Sequence, residues 1–130
     1  MLADLAKVEE EMRRHTRIFE TGPLIALRSK GIGFMSREDA IRAHTVGPPT
    51  ARASGVEDCD LRLRHPTYRE LGFTQVTRTE GDNFARVMVR FQEVFQSIDL
   101  IRKCIDTLPP EGPPIRGRRV LQGGGDVVCR

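Results

Sequence analysis

The chain has 130 residues, enough for one domain, and its 38% hydrophobic and 30% charged residues are typical of a globular protein. Its net charge of +3 comes from basic residues scattered among 18 acidic ones. Because nucleic-acid surfaces usually combine a basic stripe with stacking aromatics, we expect no nucleic-acid partner. The three cysteines form no Cys-x-x-Cys pair, and an odd number argues against a complete disulfide framework and favours a reducing compartment.

The first part of the chain predicts helices. Residues 2–19 carry apolar side chains at spacings of three, four or seven, with acids early and bases late. The sequence Thr21-Gly22-Pro23 ends this helix. Residues 24–30 fit either a further helical turn or a short strand. Ser36 then caps a short helix from Arg37 to about His44.

A stiff loop of small residues follows, with the sequence Gly47-Pro48-Pro49-Thr50-Ala51-Arg52-Ala53-Ser54-Gly55. The two prolines exclude a helix or a central strand, and the small side chains allow a neighbouring surface to come close. Arg52 is the single cation of the loop, and its five donors can reach a buried anion. The loop is therefore either an ordinary turn between helices or a segment built to present Arg52.

Three short segments follow the loop. Residues 59–64 alternate with a period of two, which predicts extended chain. Residues 67–71 are expected to form one helical turn after Pro66. Residues 73–77 are rich in β-prone side chains.

The strongest element is a helix from Asp82 or Asn83 to about Leu108, where one apolar stripe continues for about seven turns. Pro109-Pro110 ends it. We therefore expect a mainly α fold, α+β at most, in which long antiparallel helices of a bundle are joined by short extended segments. Residues 1–115 would form the helical domain, and the Gly-, Pro- and Arg-rich residues 116–130 a flexible tail.

No self-contained active site or metal site is predicted. His15, His44 and His65 lie far apart and have no cysteine three or four residues away. Glu57, Asp58 and Asp60 could hold a divalent ion, although a solvated acidic loop is the simpler interpretation. Gly31-x-Gly33 lacks the third glycine of a phosphate-binding loop.

The order of short motifs carries more information than any one of them. In chain order they are Gly31-Ile32-Gly33, Ser36-x-Glu38-x-Ala40, Gly47-Pro48-x-x-Ala51-Arg52-Ala53-Ser54-Gly55, Asp60-x-Arg62, His65-Pro66-x-Tyr68, Glu80-Gly81-Asp82-x-x-Ala85-Arg86-x-x-Val89-Arg90, Gln96-Ser97 and Leu108-Pro109. This series resembles the 49 kDa-type subunit of respiratory complex I, an NADH:quinone oxidoreductase. It also resembles the large subunit of membrane-bound, energy-converting NiFe hydrogenases.

The sequence lacks two features of that family. The Cys-x-x-Cys pairs of the hydrogenases and the N-terminal β-region that carries the quinone-binding residues of complex I are both absent from this sequence. The chain therefore looks like a central segment of the large subunit, with residues 5–115 carrying the resemblance.

The resemblance implies electron transfer in a parent assembly, from NADH or a similar donor to quinone or protons, with this chain inactive alone. The chain would hold no cofactor, whereas the parent complex would use quinone or a NiFe centre with iron–sulfur clusters nearby. The implied partners are other subunits of the complex, above all an iron–sulfur small subunit. The implied location is cytoplasmic, at the periphery of the inner membrane.

The resemblance also implies roles for single residues. Arg52 is expected to face the active-site cavity from its loop. Interdomain salt bridges, helix caps or contacts with a neighbouring subunit are expected at five further residues: Asp60, Arg62, Asp82, Arg86 and Arg90.

Two other functions stay open at this point. The chain could be a free-standing helical protein–protein interaction module, in which the uncovered part of the long apolar stripe is buried in a homodimer. It could also be a small metal- or nucleotide-binding protein.

Overall fold

The structure is a computed structural model that describes residues 2–47, 50–57 and 60–108, apart from the side chain of Leu61. Within these ranges the chain forms five α-helices: α1 Leu2–Thr21, α2 Pro23–Ser29, α3 Arg37–Arg42, α4 Pro66–Glu70 and α5 Asn83–Thr107. Two single 3-10 turns lie at Arg52–Ser54 and Leu61–Arg64. The described residues contain no strand, so the prediction of a mainly α fold is confirmed.

Helices α1 and α5 pack side by side in opposite directions. Phe19, near the end of α1, stacks on Phe84 at the start of α5, with ring centroids 5.2 Å apart. Glu9, earlier in α1, forms an ion pair with Arg102, near the end of α5. Since residue numbers fall along one helix as they rise along the other, the pair is antiparallel, as expected for a bundle.

Helix α5 begins at the predicted place because Asp82 caps it. One carboxylate oxygen of Asp82 accepts a hydrogen bond of 2.8 Å from the N–H of Ala85. The other oxygen accepts one of 2.8 Å from the N–H of Gly31. A single buried carboxylate therefore fixes both the start of α5 and the loop that follows α2.

The apolar core beneath the Arg52–Ser54 turn is small. Ala53, Ala85 and Val89 are fully buried against one another, and Val76 packs on them. Because alanine occupies both facing positions, the turn can lie directly on the surface of α5. The backbone N–H of Gly81 also donates a 2.8 Å hydrogen bond to the carbonyl of Ala53, which holds the two segments together.

Three local expectations change. The period-two pattern of residues 59–64 is wrong as an indication of extended chain, because Leu61–Arg64 is a 3-10 turn capped by the Asp60 carboxylate. The ambiguous residues 24–30 are helical, in α2. The β-prone residues 73–77 form no strand, because none of the described residues offers them a strand edge to pair with.

Part of the predicted domain division lies outside the described residues. This holds for residues 109–115 and for the tail expected at 116–130. Among the helices that are described, none is both long enough and apolar enough to cross a bilayer.

Gly81 and Gly31 have similar backbone angles but differ in how closely the rest of the chain approaches them. Gly81 has a φ of 66°, and a Cβ there would lie 2.3 Å from the Met35 carbonyl oxygen. Gly31 has a φ of 70°, and a Cβ there would meet nothing within 4 Å. We expect Gly31→Ala to cost about 1–2 kcal/mol of unfolding free energy through the left-handed backbone alone. Gly81→Ala should cost about 1–3 kcal/mol more, because the clash adds to the strain.

Urea unfolding followed by circular dichroism measures both variants of this pair. Equal losses for the two substitutions would contradict the close approach at Gly81.

Candidate functional site

Arg52 is buried, with only 4% of its side chain exposed, and it faces two carboxylates of the same chain. Its Nη1 lies 3.3 Å from Oδ2 of Asp60, and its Nη2 lies 2.6 Å from Oε1 of Glu93. Asp60 follows the small-residue loop, and Glu93 lies in the middle of α5. The arginine therefore joins its own turn to a second loop and to the long helix.

Arg62 adds a second cation to this group. Its Nε and Nη2 donate to both oxygens of Asp60 at 2.6–3.1 Å, and its Nη2 lies 3.6 Å from Oε1 of Glu93. The Arg62 guanidinium also lies over the ring of Phe73, 4.7 Å from its centroid. We call Arg52, Asp60, Arg62 and Glu93 the charge cluster. Its two cations and two anions balance, which is the condition for burying charges in a protein interior.

The hydrogen bonds of the charge cluster change the pKa values of its members. The Arg62 guanidinium, bonded to Asp60, holds the pKa of that carboxyl below its ordinary value of 3.8, although burial opposes this. The same hydrogen bond raises the pKa of Arg62. Both groups therefore stay charged throughout the neutral range.

Asp82 and Arg86 form a second polar group at the start of α5. The Nη2 of Arg86 donates to the carbonyl of Gly33 at 2.6 Å, and its Nη1 donates to Oδ1 of Asn83 at 2.7 Å. Since Asp82 binds Gly31, the two side chains hold both ends of the loop 31–33. Gly33 has a φ of 66°, which favours glycine, and a Cβ there would lie 2.8 Å from Oδ1 of Asn83, so the Asn83 side chain would have to shift.

The structure therefore separates the six residues singled out in the sequence. It brings Arg52, Asp60 and Arg62 together in the charge cluster, and it places Asp82 and Arg86 at the α5 start. Arg90 belongs to neither group: it is exposed and makes no ion pair with any residue that the structure describes. Contact of Arg86 or Arg90 with a neighbouring subunit stays a prediction.

Glu93 is the member of the charge cluster that the sequence reasoning missed. It lies four residues after Val89 and eight after Ala85, on the buried face of α5 that supports the Arg52–Ser54 turn. An acid that continues a row of buried small residues at helical spacing was the available signal. Such an acid needs a buried cation, and Arg52 was the one already singled out.

Metal binding finds no support in the part of the chain that the structure describes. No group of three or more His, Cys, Asp or Glu side chains comes together there. Of the acidic segment considered in the sequence, Asp60 is engaged by two arginines, and Asp58 lies outside the described residues.

Comparison with known proteins indicates the same family as the order of motifs in the sequence. Residues 2–121 match the family described as respiratory-chain NADH dehydrogenase, 49 Kd subunit. The chain belongs to this family. The resemblance to the 49 kDa-type subunit of complex I is thus confirmed, and the family is that of one component of a multi-subunit respiratory complex.

Individual relatives come from bacteria and archaea. The chain is 44% identical over 108 residues to the C/D subunit of NADH-quinone oxidoreductase from Phocaeicola vulgatus, covering 81% of this chain and 20% of that protein. It is 37% identical over 117 residues to the D subunit of F(420)H(2) dehydrogenase from Methanosarcina mazei, covering 85% of this chain and 31% of that protein.

A solved structure has a similar fold. A chain of the membrane-bound sulfane sulfur reductase, an archaeal respiratory membrane complex, superposes with a TM-score of 0.74 at 31% identity. The superposition covers 86% of this chain and 30% of that one. The chain therefore spans between a fifth and a third of the length of these relatives.

Removing Arg52 should destabilise the fold strongly. Arg52→Ala leaves the buried Asp60 and Glu93 with too little positive charge, so we expect a loss of about 3–5 kcal/mol in the free energy of unfolding. Arg90→Ala removes an exposed arginine and should stay within about 0.5 kcal/mol of the natural chain. Arg52→Lys, which keeps the charge but loses the fork of donors, should fall between them. Urea unfolding checks all three, and an Arg52→Ala loss no larger than that of Arg90→Ala would contradict the buried cluster.

The charge cluster should also make stability depend on pH in the acid range. The pKa of Asp60 is lower in the folded chain than its ordinary 3.8. Between those two pKa values the unfolded chain binds more protons, so the free energy of unfolding falls as the pH falls. The stabilisation by Asp60 is complete above the ordinary pKa and is lost as the pH drops through the folded one.

Asp60→Asn should therefore flatten the dependence of unfolding free energy on pH between about pH 5 and about pH 3. Some slope will stay, because arginines also lower the pKa values of Glu9 and Glu80. Asp106→Asn, at an exposed position near the end of α5, is the matched control. Urea titrations across this range measure how the free energy of unfolding changes with pH in each variant. If Asp60→Asn kept the same slope as the natural chain, that result would contradict the lowered pKa of Asp60 in the folded chain.

Proposed function

We propose that this chain forms a helical part of the 49 kDa-type subunit of a membrane-associated respiratory complex. In the full assembly it would take part in electron transfer to quinone, or to protons in a hydrogenase-like complex, and it would be inactive alone. The family match over residues 2–121 carries this proposal. The relatives named as NADH-quinone oxidoreductase and as an archaeal respiratory membrane complex support it.

The sequence predicts that Arg52 faces the active-site cavity; because its side chain is buried against Asp60 and Glu93, we propose that it positions the wall of that cavity instead. Its side chain is directed at Asp60 and Glu93, and its carbonyl accepts a 2.8 Å hydrogen bond from the N–H of Arg78. Because both the side chain and the backbone carbonyl of Arg52 are bonded to neighbouring segments, the loop has few alternative conformations. The small residues around Arg52 would then line the cavity, while the arginine fixes their position against α5.

The proposed partners are the other subunits of the complex, in particular an iron–sulfur small subunit. The proposed location is the cytoplasmic side of the inner membrane, at its periphery. Quinone, or a NiFe centre with iron–sulfur clusters, would be held by the parent complex and not by this chain. The description of the archaeal relative as membrane-bound supports the location.

The alternative of a free-standing interaction module rests on the exposed apolar side chains. Leu24, Leu27 and Val46 are 71%, 75% and 86% exposed. If these side chains form one contiguous apolar surface, another protein would cover it, either a second copy or the parent complex. Only the parent complex predicts that the chain can replace its counterpart in a relative.

The test is a graft. Residues 2–121 replace the matching segment of the Phocaeicola vulgatus protein in cells that lack the natural subunit. We expect the graft to enter the respiratory complex and to restore NADH:quinone oxidoreductase activity in isolated membranes, whereas the separate 130-residue chain restores none. Native gel electrophoresis measures incorporation, and NADH oxidation coupled to quinone reduction measures activity.

Two matched variants sharpen the graft experiment. Arg52→Ala should lower incorporation and activity together, by about tenfold or more, because the cluster that positions the loop is lost. Arg14→Ala, at an exposed arginine in α1, should leave both unchanged. A graft that is expressed and folded yet never enters the complex would reject the proposed function.

A further inference from the structure

A pocket lies between α4, the 3-10 turn Leu61–Arg64 and the second half of α5. Its volume is about 400 Å³, within the usual range for small-molecule sites. Leu71, Leu100 and Ile101 give it an apolar lining, and Arg62, His65 and Tyr68 add polar groups. An apolar pocket with a few polar groups is the usual composition of a ligand site.

One side of this pocket consists of aromatic rings that contact one another. The rings of His65 and Tyr68 meet edge to face, with centroids 5.8 Å apart. Tyr68 meets the buried Phe73 in the same way, with centroids 5.6 Å apart. Because Tyr68 is held between two rings, an aromatic ligand can pack against it with little reorganisation of the protein.

Arg62 supplies a hydrogen-bond donor at the pocket that the charge cluster does not use. Its Nε and Nη2 donate to Asp60, and its guanidinium lies over the ring of Phe73, so its position is fixed. Its third nitrogen, Nη1, donates no hydrogen bond to any residue that the structure describes. The result is a preorganised cationic donor with one free nitrogen, which suits a carboxylate.

The surroundings of the pocket do not oppose a negative charge on the ligand. None of the described residues that line it is acidic. The two carboxylates of the charge cluster, Asp60 and Glu93, are already balanced by Arg52 and Arg62. A carboxylate can therefore approach Nη1 of Arg62 without meeting an uncompensated like charge.

We propose that this pocket binds an aromatic carboxylate. The ring system of the ligand lies against Tyr68 and Leu100, and its carboxylate accepts a hydrogen bond from Nη1 of Arg62. Thr67 and Cys104, which also line the pocket, are exposed, so the ligand enters directly from solvent. The site is separate from the proposed role in electron transfer and does not depend on it.

The natural thiol of Cys104 reports whether the pocket is occupied, because it is free, exposed and part of the lining. The 130-residue chain is treated with a small maleimide at rising concentrations of naphthoate, a two-ring aromatic carboxylate, and mass spectrometry follows the peptide that contains Cys104. We expect a Kd of about 1 mM, ordinary for a ligand of this size, and labelling about tenfold slower near saturation. Lys7→Cys adds an exposed thiol on α1 that should react at the same rate throughout.

Two comparisons separate the proposed site from general binding of an apolar compound. Naphthamide has nearly the same shape but no charge, and it should bind about tenfold more weakly because it loses the charge-assisted hydrogen bond to Arg62. Thr67→Trp puts an indole into the pocket and should reduce the protection of Cys104 by naphthoate to about none. Thr21→Trp, at an exposed threonine near the end of α1, should leave the protection unchanged.

Unchanged labelling of Cys104 at every naphthoate concentration would overturn the proposal. Equal Kd values for naphthoate and naphthamide would overturn the assignment of the carboxylate to Arg62. The same labelling in the purified grafted subunit tests whether polypeptide fills the pocket instead. A Cys104 thiol that is unreactive there without naphthoate would overturn the proposal, whereas a reactive thiol that naphthoate protects would support it.

Discussion

The buried guanidinium of Arg52 is the constraint on which the rest of the structure depends. A charge with 4% of its side chain exposed is tolerated only where carboxylates meet it, and here Asp60 and Glu93 do so from two different segments. The turn that carries Arg52 therefore lies on the middle of α5, within reach of Glu93. Alanines at positions 53 and 85 allow that approach.

Around the Arg52 turn, directional polar contacts position segments that large apolar side chains would position in most protein cores. The core under the turn consists of small side chains, so it excludes few alternative packings by shape alone. Ion pairs and caps are directional, and they hold each loop at one place along α5. Arg52 and Asp60 fix the loops at its middle, whereas Asp82 and Arg86 fix the loop 31–33 at its start. Specificity of this kind is a hypothesis that the variants of Arg52 address directly.

The sequence predicts the long helices well because their signals are local. The apolar spacing and Asp82 locate the start of α5, and its end at Thr107 lies one residue from the predicted one. The partners of Arg52 have no local signal of this strength, because its contact with Glu93 joins residues far apart in the chain. Only the helical spacing of Glu93 from Ala85 and Val89 points to it. The 3-10 turn at Leu61–Arg64 was missed for a local reason: Asp60 caps a turn that a period of two over so few residues cannot distinguish from extended chain.

Helix α5 has three faces with different surroundings. Ala85, Val89 and Glu93 carry the Arg52 turn, and Phe84 stacks on Phe19 of α1. A third face borders an open groove between α5 and α1, which is lined on α5 by Arg90, Val94, Ile98 and Ile101. A helix that is apolar on several sides is typical of the centre of a bundle. Because one helix carries all three faces, the groove has a fixed position relative to the Arg52 loop. Glu93 lies where two of these faces meet, since it both pairs with Arg52 and borders the groove, so the loop and the groove are parts of one framework.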